Sequence, residues 1–135
     1  MSRLLLVEDE PGLVMTLTDR LVAEGYVVES EGDAVAGLAK ATTGTFDIIL
    51  LDVMLPGGSG FDVLTALADR PRAPTIVVVT ARDDMQSTVK AIQLGAYEYL
   101  VKPVDIDRLR TVVKAALESR EARSQLEEFV TTQAE

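Results

Sequence analysis

The chain contains no cysteine and no histidine. The first absence excludes disulfides and thiolate metal sites. The second removes histidine acid–base chemistry, Ser-His-Asp triads and the commonest zinc sites. Aromatic residues make up only 4% of the sequence, so its core must be built from Leu, Val, Ile and Ala. No apolar run is long enough to span a bilayer. Met1-Ser2-Arg3 leads straight into a strand-like run without a signal-peptide pattern, so a cytoplasmic protein without membrane contact is expected. Positive charge is also scarce. The net charge of −9 argues against direct nucleic-acid binding, which needs a basic face to displace counterions.

What is present is hydrophobic patterning with two alternating periods. The 135 residues suit one domain, and 47% of them are hydrophobic. Leu4-Leu5-Leu6-Val7, Val27-Val28, Ile48-Ile49-Leu50-Leu51, Ile76-Val77-Val78-Val79 and Tyr99-Leu100-Val101 read as five strands. Between them, apolar residues recur at helical spacing, as at Leu13, Leu17 and Leu21. Gly25 and Gly95 read as helix stops, and Asp33 and Asp105 as helix N-caps. Strands one, three and four are apolar on both faces, which requires helices on each side of a parallel sheet. The pattern predicts an α/β fold of the flavodoxin-like (βα)5 type: a three-layer sandwich with strand order 2-1-3-4-5.

After Leu117 the composition turns charged and polar. Residues 1–120 are read as the domain and 121–135 as a helical linker or tail extending the last helix. A broken heptad through Leu109, Val112, Ala116, Leu126 and Val130, with Ser119 and Arg123 in its seam, leaves two readings open. The tail is either a solvated extension or a dimerising helix.

In open α/β sheets, ligands bind outside the carboxyl ends of the strands. Those ends carry Glu8-Asp9-Glu10, Asp52, Thr80 and Lys102-Pro103. Clustered carboxylates repel one another, and a divalent cation relieves the repulsion. An all-oxygen donor set favours Mg2+. An aspartate beside such an ion can act as a nucleophile toward phosphorus. The ion and the Lys102 ammonium would neutralise the phosphoryl oxygens, and the Thr80 hydroxyl can donate to one of them.

Four segments carry a resemblance: Leu6-Val7-Glu8-Asp9-Glu10, Leu50-Leu51-Asp52-Val53-Met54-Leu55-Pro56-Gly57, Val79-Thr80-Ala81 and Tyr99-Leu100-Val101-Lys102-Pro103. Together, in this order and at strand ends, they resemble bacterial two-component response-regulator receiver domains over roughly residues 3 to 120. The resemblance implies that Asp52 is the phosphoacceptor, taking its phosphoryl group from a sensor histidine kinase. It implies that Asp9 and Asp52 ligate Mg2+ directly, that Glu8 acts through water, and that Met54 supplies its backbone carbonyl. Thr80 and Lys102 would bind the phosphoryl group, across a cis Lys102–Pro103 peptide that aims the lysine. Thr80 and Tyr99 would form the switch. Tyr99 would point outward in the free state and swing inward as Thr80 moves. The face of helix four, strand five and helix five would then act on an output domain or partner, in transcription by expectation, with a homodimer through helices four and five and the tail as one arrangement. The fifth helix is similar to receivers of the nitrogen-regulatory, alternative-sigma-factor activator type.

Other residues receive plainer readings. Glu10 reads as a solvated neighbour and Asp47 as a turn residue. Asp83 and Asp84 read as caps for the fourth helix, and residues 56–60 as a flexible loop beside the site. Two departures from the family pattern stand out. Gly58 replaces a larger residue. Met54 and Arg82, which would flank the path of the hydrolytic water, offer no base, so a long-lived aspartyl phosphate is expected. Three competing functions are weaker. A phosphatase would carry a second aspartate where Met54 stands. A nucleotide carrier would not place Glu8-Asp9-Glu10 after its first strand. A constitutive dimerisation domain would be indifferent to phosphate.

Overall fold

The computed structural model describes residues 1–134, with side-chain surroundings up to residue 130. Five parallel strands form the sheet: β1 (Arg3–Val7), β2 (Val27–Glu31), β3 (Ile48–Leu51), β6 (Thr75–Thr80) and β7 (Glu98–Val101). Their order is β2-β1-β3-β6-β7, the flavodoxin-like order expected from the sequence. A two-stranded antiparallel hairpin, β4 (Met54–Leu55) and β5 (Gly58–Ser59), lies between β3 and the next helix.

Side chains alternate across the sheet, as strand geometry dictates. Leu4, Leu6, Ile48, Leu50, Val77 and Val79 pack against α1 (Pro11–Ala23) and α5 (Ile106–Ala134), chiefly through Leu17, Leu21, Leu109 and Val113. Leu5, Val7, Ile49, Leu51, Ile76 and Val78 pack against α2 (Ala34–Thr43), α3 (Gly60–Ala68) and α4 (Met85–Gln93). Two apolar faces on each central strand are the reason the strands lack an alternating sequence pattern.

The helix starts follow local chemistry. The Asp33 carboxylate accepts from the N–H of Ala36 at 2.7 Å, and the Asp84 carboxylate from that of Ser87 at 2.9 Å. Asp105 accepts from the amides of Asp107 and Arg108 at the start of α5. Each cap satisfies amides that the helix cannot. Gly25 and Gly95 close α1 and α4 at φ 95° and 114°, backbone that L side chains rarely adopt.

Three expectations need correction. Residues 56–60 are not an irregular loop. Met54 pairs with Ser59 and Leu55 with Gly58, and the Ser59 hydroxyl caps α3 through the Phe61 amide. Asp47 is more than a turn residue. Its carboxylate and N–H meet the Arg3 amide and carbonyl, and its own carbonyl accepts from Thr75, so it ties the starts of β1, β3 and β6. The heptad seam is not continuous, because Leu109, Val112 and Ala116 are buried in the domain's own core. α5 runs unbroken through residue 120.

Candidate functional site

The carboxyl ends of the strands are aligned by backbone hydrogen bonds that continue just past the regular ladders. The Glu8 amide donates to the Glu31 carbonyl, the Asp52 amide to that of Val7, and the Lys102 amide to that of Thr80. These bonds bring residues from β1, β3, β6 and β7 to one rim. At that rim Glu8, Asp52 and Thr80 are buried, and Lys102 is nearly so.

Lys102 is the hub. Its Nζ lies 2.7 Å from Glu8 Oε1, 2.8 Å from Asp52 Oδ2 and 3.4 Å from Glu10 Oε1. Burial works against its positive charge. The hydrogen bonds and charges of Asp52 and Glu8 outweigh that cost and hold the ammonium well above its usual pKa. Glu8 is pushed up chiefly by burial. Lys102 and the Glu10 amide pull in the other direction without cancelling the effect. The other Glu8 oxygen accepts from the amides of Asp9 and Glu10 at 3.0 and 3.1 Å, so this side chain is held in place by its own turn.

Asp52 is saturated in a similar way. Its Oδ1 accepts from the Met54 N–H at 2.8 Å, while Oδ2 faces Lys102. Met54 therefore meets the acceptor carboxylate through its amide, and its side chain is exposed. Glu8, Asp9 and Asp52 each offer a carboxylate oxygen, all within 4.8 Å of one another. Asp9 is exposed, leaving the cluster open to solvent on one side. Three oxygen donors with no nitrogen or sulfur suit a hard divalent cation.

Thr80 ends β6 and is fully buried. Its hydroxyl accepts from the Arg82 amide at 3.4 Å. Tyr99 is half-buried against the α2–α3–α4 core, with its hydroxyl donating to the Arg82 carbonyl at 2.6 Å. The ring is thus not free in solvent, because its polar tip has found a backbone acceptor in the loop after Thr80. The Lys102–Pro103 peptide is cis, as expected.

Two site features escaped the sequence reading. Glu10 is exposed but reaches Lys102. Gly60 lies directly against the backbone of Asp52 and Val53, where any Cβ would collide with the Asp52 carbonyl. The cluster of glycines at 57, 58 and 60 was the available signal, but flexibility and close packing look the same in sequence.

The fold and rim together define a class: a doubly wound α/β domain with an acidic pocket and a nearly buried lysine at the carboxyl edge of its sheet. The profile of the response regulator receiver domain family matches residues 4–114, and the chain belongs to that family. It is 42% identical over 121 residues to the transcriptional activator protein IrlR of Burkholderia pseudomallei, covering 90% of this chain and 52% of the relative. It is 39% identical over 125 residues to the transcriptional regulatory protein PcoR of Escherichia coli, covering 93% of this chain and 54% of the relative. The chain thus spans about half the length of these curated relatives. Among solved structures, a CheY-like receiver domain protein from Methanospirillum hungatei superposes with a TM-score of 0.87 at 28% identity, covering 91% of this chain and 98% of that one. The signal receiver domain of a Luxo repressor protein from Vibrio parahaemolyticus gives 0.88 at 28% identity, covering 93% and 97%. No helix among the described residues is long and apolar enough to cross a membrane.

Proposed function

We propose that this domain accepts a phosphoryl group on Asp52 from a sensor histidine kinase, with Mg2+ held by Asp9 and Asp52 and by Glu8 through water. The Met54 carbonyl would complete the protein's share of the ligands. The observation that carries the reading is the buried Asp52 carboxylate, 2.8 Å from the Lys102 ammonium and clustered with Glu8 and Asp9. In the transfer, an Asp52 oxygen forms the bond to phosphorus as the bond from phosphorus to the donor histidine nitrogen breaks. The histidine nitrogen then takes up a proton. Mg2+ supplies charge neutralisation on the phosphoryl oxygens. Lys102, already charged and aimed at Asp52, does the same from the protein side. Thr80 gives up the Arg82 amide to donate its hydroxyl to the phosphoryl group. The domain signals and does not turn over a metabolite.

The output follows from the link between Thr80 and Tyr99. Both are bonded to Arg82, one through its amide and the other through its carbonyl. Movement of Thr80 therefore disturbs the acceptor of the Tyr99 hydroxyl. The surface formed by α4, β7 and α5 changes with it, biasing a two-state equilibrium that a transcriptional output reads. Intact-mass measurement after incubation with acetyl phosphate and Mg2+ tests the acceptor. Wild type should gain one phosphoryl group and Asp52→Asn none; modification of both, or of neither, rejects the reading.

A further inference from the structure

A second cavity lies at the edge of the sheet opposite the Asp52 rim. Thr75 opens β6 there, whereas Thr80 ends it at the rim. The end of α3, the loop that follows it and α5 enclose about 650 Å³. Arg70 and Arg72 line this space from the loop, and Arg120 and Arg123 line it from α5. Among the described residues, the lining sets one carboxylate, that of Glu127, against these four guanidinium groups. The chain as a whole has the opposite balance, with 22 acidic and 13 basic residues.

These arginines are not neutralised by the domain itself. Among the described residues, Arg3, Arg82, Arg108 and Arg110 form ion pairs with carboxylates. Arg70, Arg72, Arg120 and Arg123 form none. Arg120 is instead held by the backbone: its Nη1 donates to the Ala73 carbonyl and the Thr75 hydroxyl at 2.9 and 3.2 Å. Both bonds use one nitrogen, which fixes the guanidinium and leaves its other N–H groups outside these bonds. Arg72 sits at φ 55°, left-handed backbone that glycine adopts more easily. The turn therefore carries a guanidinium where its backbone favours no side chain at all.

Like charges gathered in one cleft repel, and a bound anion relieves the repulsion. Guanidinium forks match phosphate oxygens two at a time. The volume falls within the roughly 300–1,000 Å³ of small-ligand sites. The apolar lining is limited to Ala68 and Ala73, so among the described residues it offers no ring on which a base could stack. A long nucleic acid would also meet the net charge of −9 beyond the cavity, which a short anion avoids. We propose that this cavity binds a short oligophosphate chain, either free or as the tail of a nucleotide.

Calorimetric titration of the full chain with tripolyphosphate tests the proposal independently of Asp52 chemistry. EDTA is present, so that no Mg2+ bridges the titrant to the acidic rim. Tripolyphosphate should bind with a dissociation constant below about 1 mM and more weakly as salt rises. Arg72→Gly suits the backbone at that turn, and Arg123→Gln suits the helix. Each should weaken binding by about ten-fold, with unchanged far-UV circular dichroism. Arg108→Gln removes the same charge near the start of α5, and it should shift the affinity by less than about two-fold. Equal affinity for ATP and tripolyphosphate supports a free chain as the ligand, and a gain of about ten-fold for ATP supports a nucleotide. No heat from either titrant overturns the proposal. So does an affinity indifferent to Arg72→Gly and Arg123→Gln, or an equal loss in Arg108→Gln.

Discussion

The Tyr99 hydroxyl donates to the backbone carbonyl of Arg82 at 2.6 Å, joining β7 to the loop that follows Thr80. The same Arg82 gives its amide to the Thr80 hydroxyl, and its side chain pairs with Asp84, the cap of α4. One residue thus touches the expected phosphoryl ligand, the aromatic ring and the start of α4. Tyr99→Phe keeps the ring and deletes the bond. It should cost about 1 kcal/mol in urea denaturation and speed amide exchange in residues 82–84. Unchanged stability and exchange would mean that the bond holds nothing in place.

Lys102→Met leaves Glu8 and Asp52 buried together without a cation. Truncating one partner of such a cluster costs about 3 kcal/mol. The pH dependence has a definite sign. Burial already raises Glu8 above the ordinary carboxylate range, so the folded state holds its proton to higher pH than the unfolded state. Stability therefore falls as pH rises through the window between those two values. Removing Lys102 takes away the main opposing influence and widens the window upward. The variant's deficit should be smaller at pH 5 than at pH 8, measured by denaturation in chelator. An equal deficit at both pH values contradicts this account.

The raised pKa of Lys102 gives the opposite limb. Its contribution is complete below the unfolded-state pKa of a lysine and is lost as pH rises through the higher folded value. Above pH 8, the stability gap between wild type and Lys102→Met should accordingly hold until strongly alkaline solution and shrink only there. A gap that closes near neutrality would be inconsistent with the charge network.

Gly60→Ala drives a methyl into the Asp52 carbonyl and the Val53 Cα, both backbone and unable to rotate away. It should destabilise the domain by about 2 kcal/mol and slow modification by acetyl phosphate. Gly12→Ala, in α1 with nothing within 4 Å of the added carbon, should instead be neutral or stabilising by about 0.5 kcal/mol. Similar effects at both sites would refute the packing argument.

Met54 and Arg82 set the fifth expectation. The Met54 side chain is exposed, and the Arg82 guanidinium lies 3.5 Å from Asp84, so neither offers a base to water. The aspartyl phosphate should decay faster in Met54→Asn and Arg82→Glu than in wild type, followed by loss of the phosphoryl mass with time. Equal lifetimes remove the idea.

The fold was legible because its signals are local. Apolar runs such as Ile48–Leu51, caps such as Asp33 and Asp105, and the stops at Gly25 and Gly95 depend on neighbours within a turn or a strand. Glu8, Asp52, Thr80 and Lys102 could be assigned to one rim because parallel strands share a carboxyl edge. The Glu10 contact, the strand-tying role of Asp47 and the packing of Gly60 were hidden, since each depends on groups distant in sequence or on which way a backbone group points.

The amino-acid sequence alone determined the alternation of strands and helices and the set of groups at the carboxyl edge of the sheet. Hydrophobic period and strand polarity suffice for these. Tertiary structure decided which atoms meet there: Lys102 bridging Glu8 and Asp52, the Met54 amide on Asp52, and the Tyr99 hydroxyl on Arg82. It also decided which stripe of α5 the core consumes and which it leaves exposed. A helix carries several apolar stripes at once, and only packing against the sheet selects the one to bury.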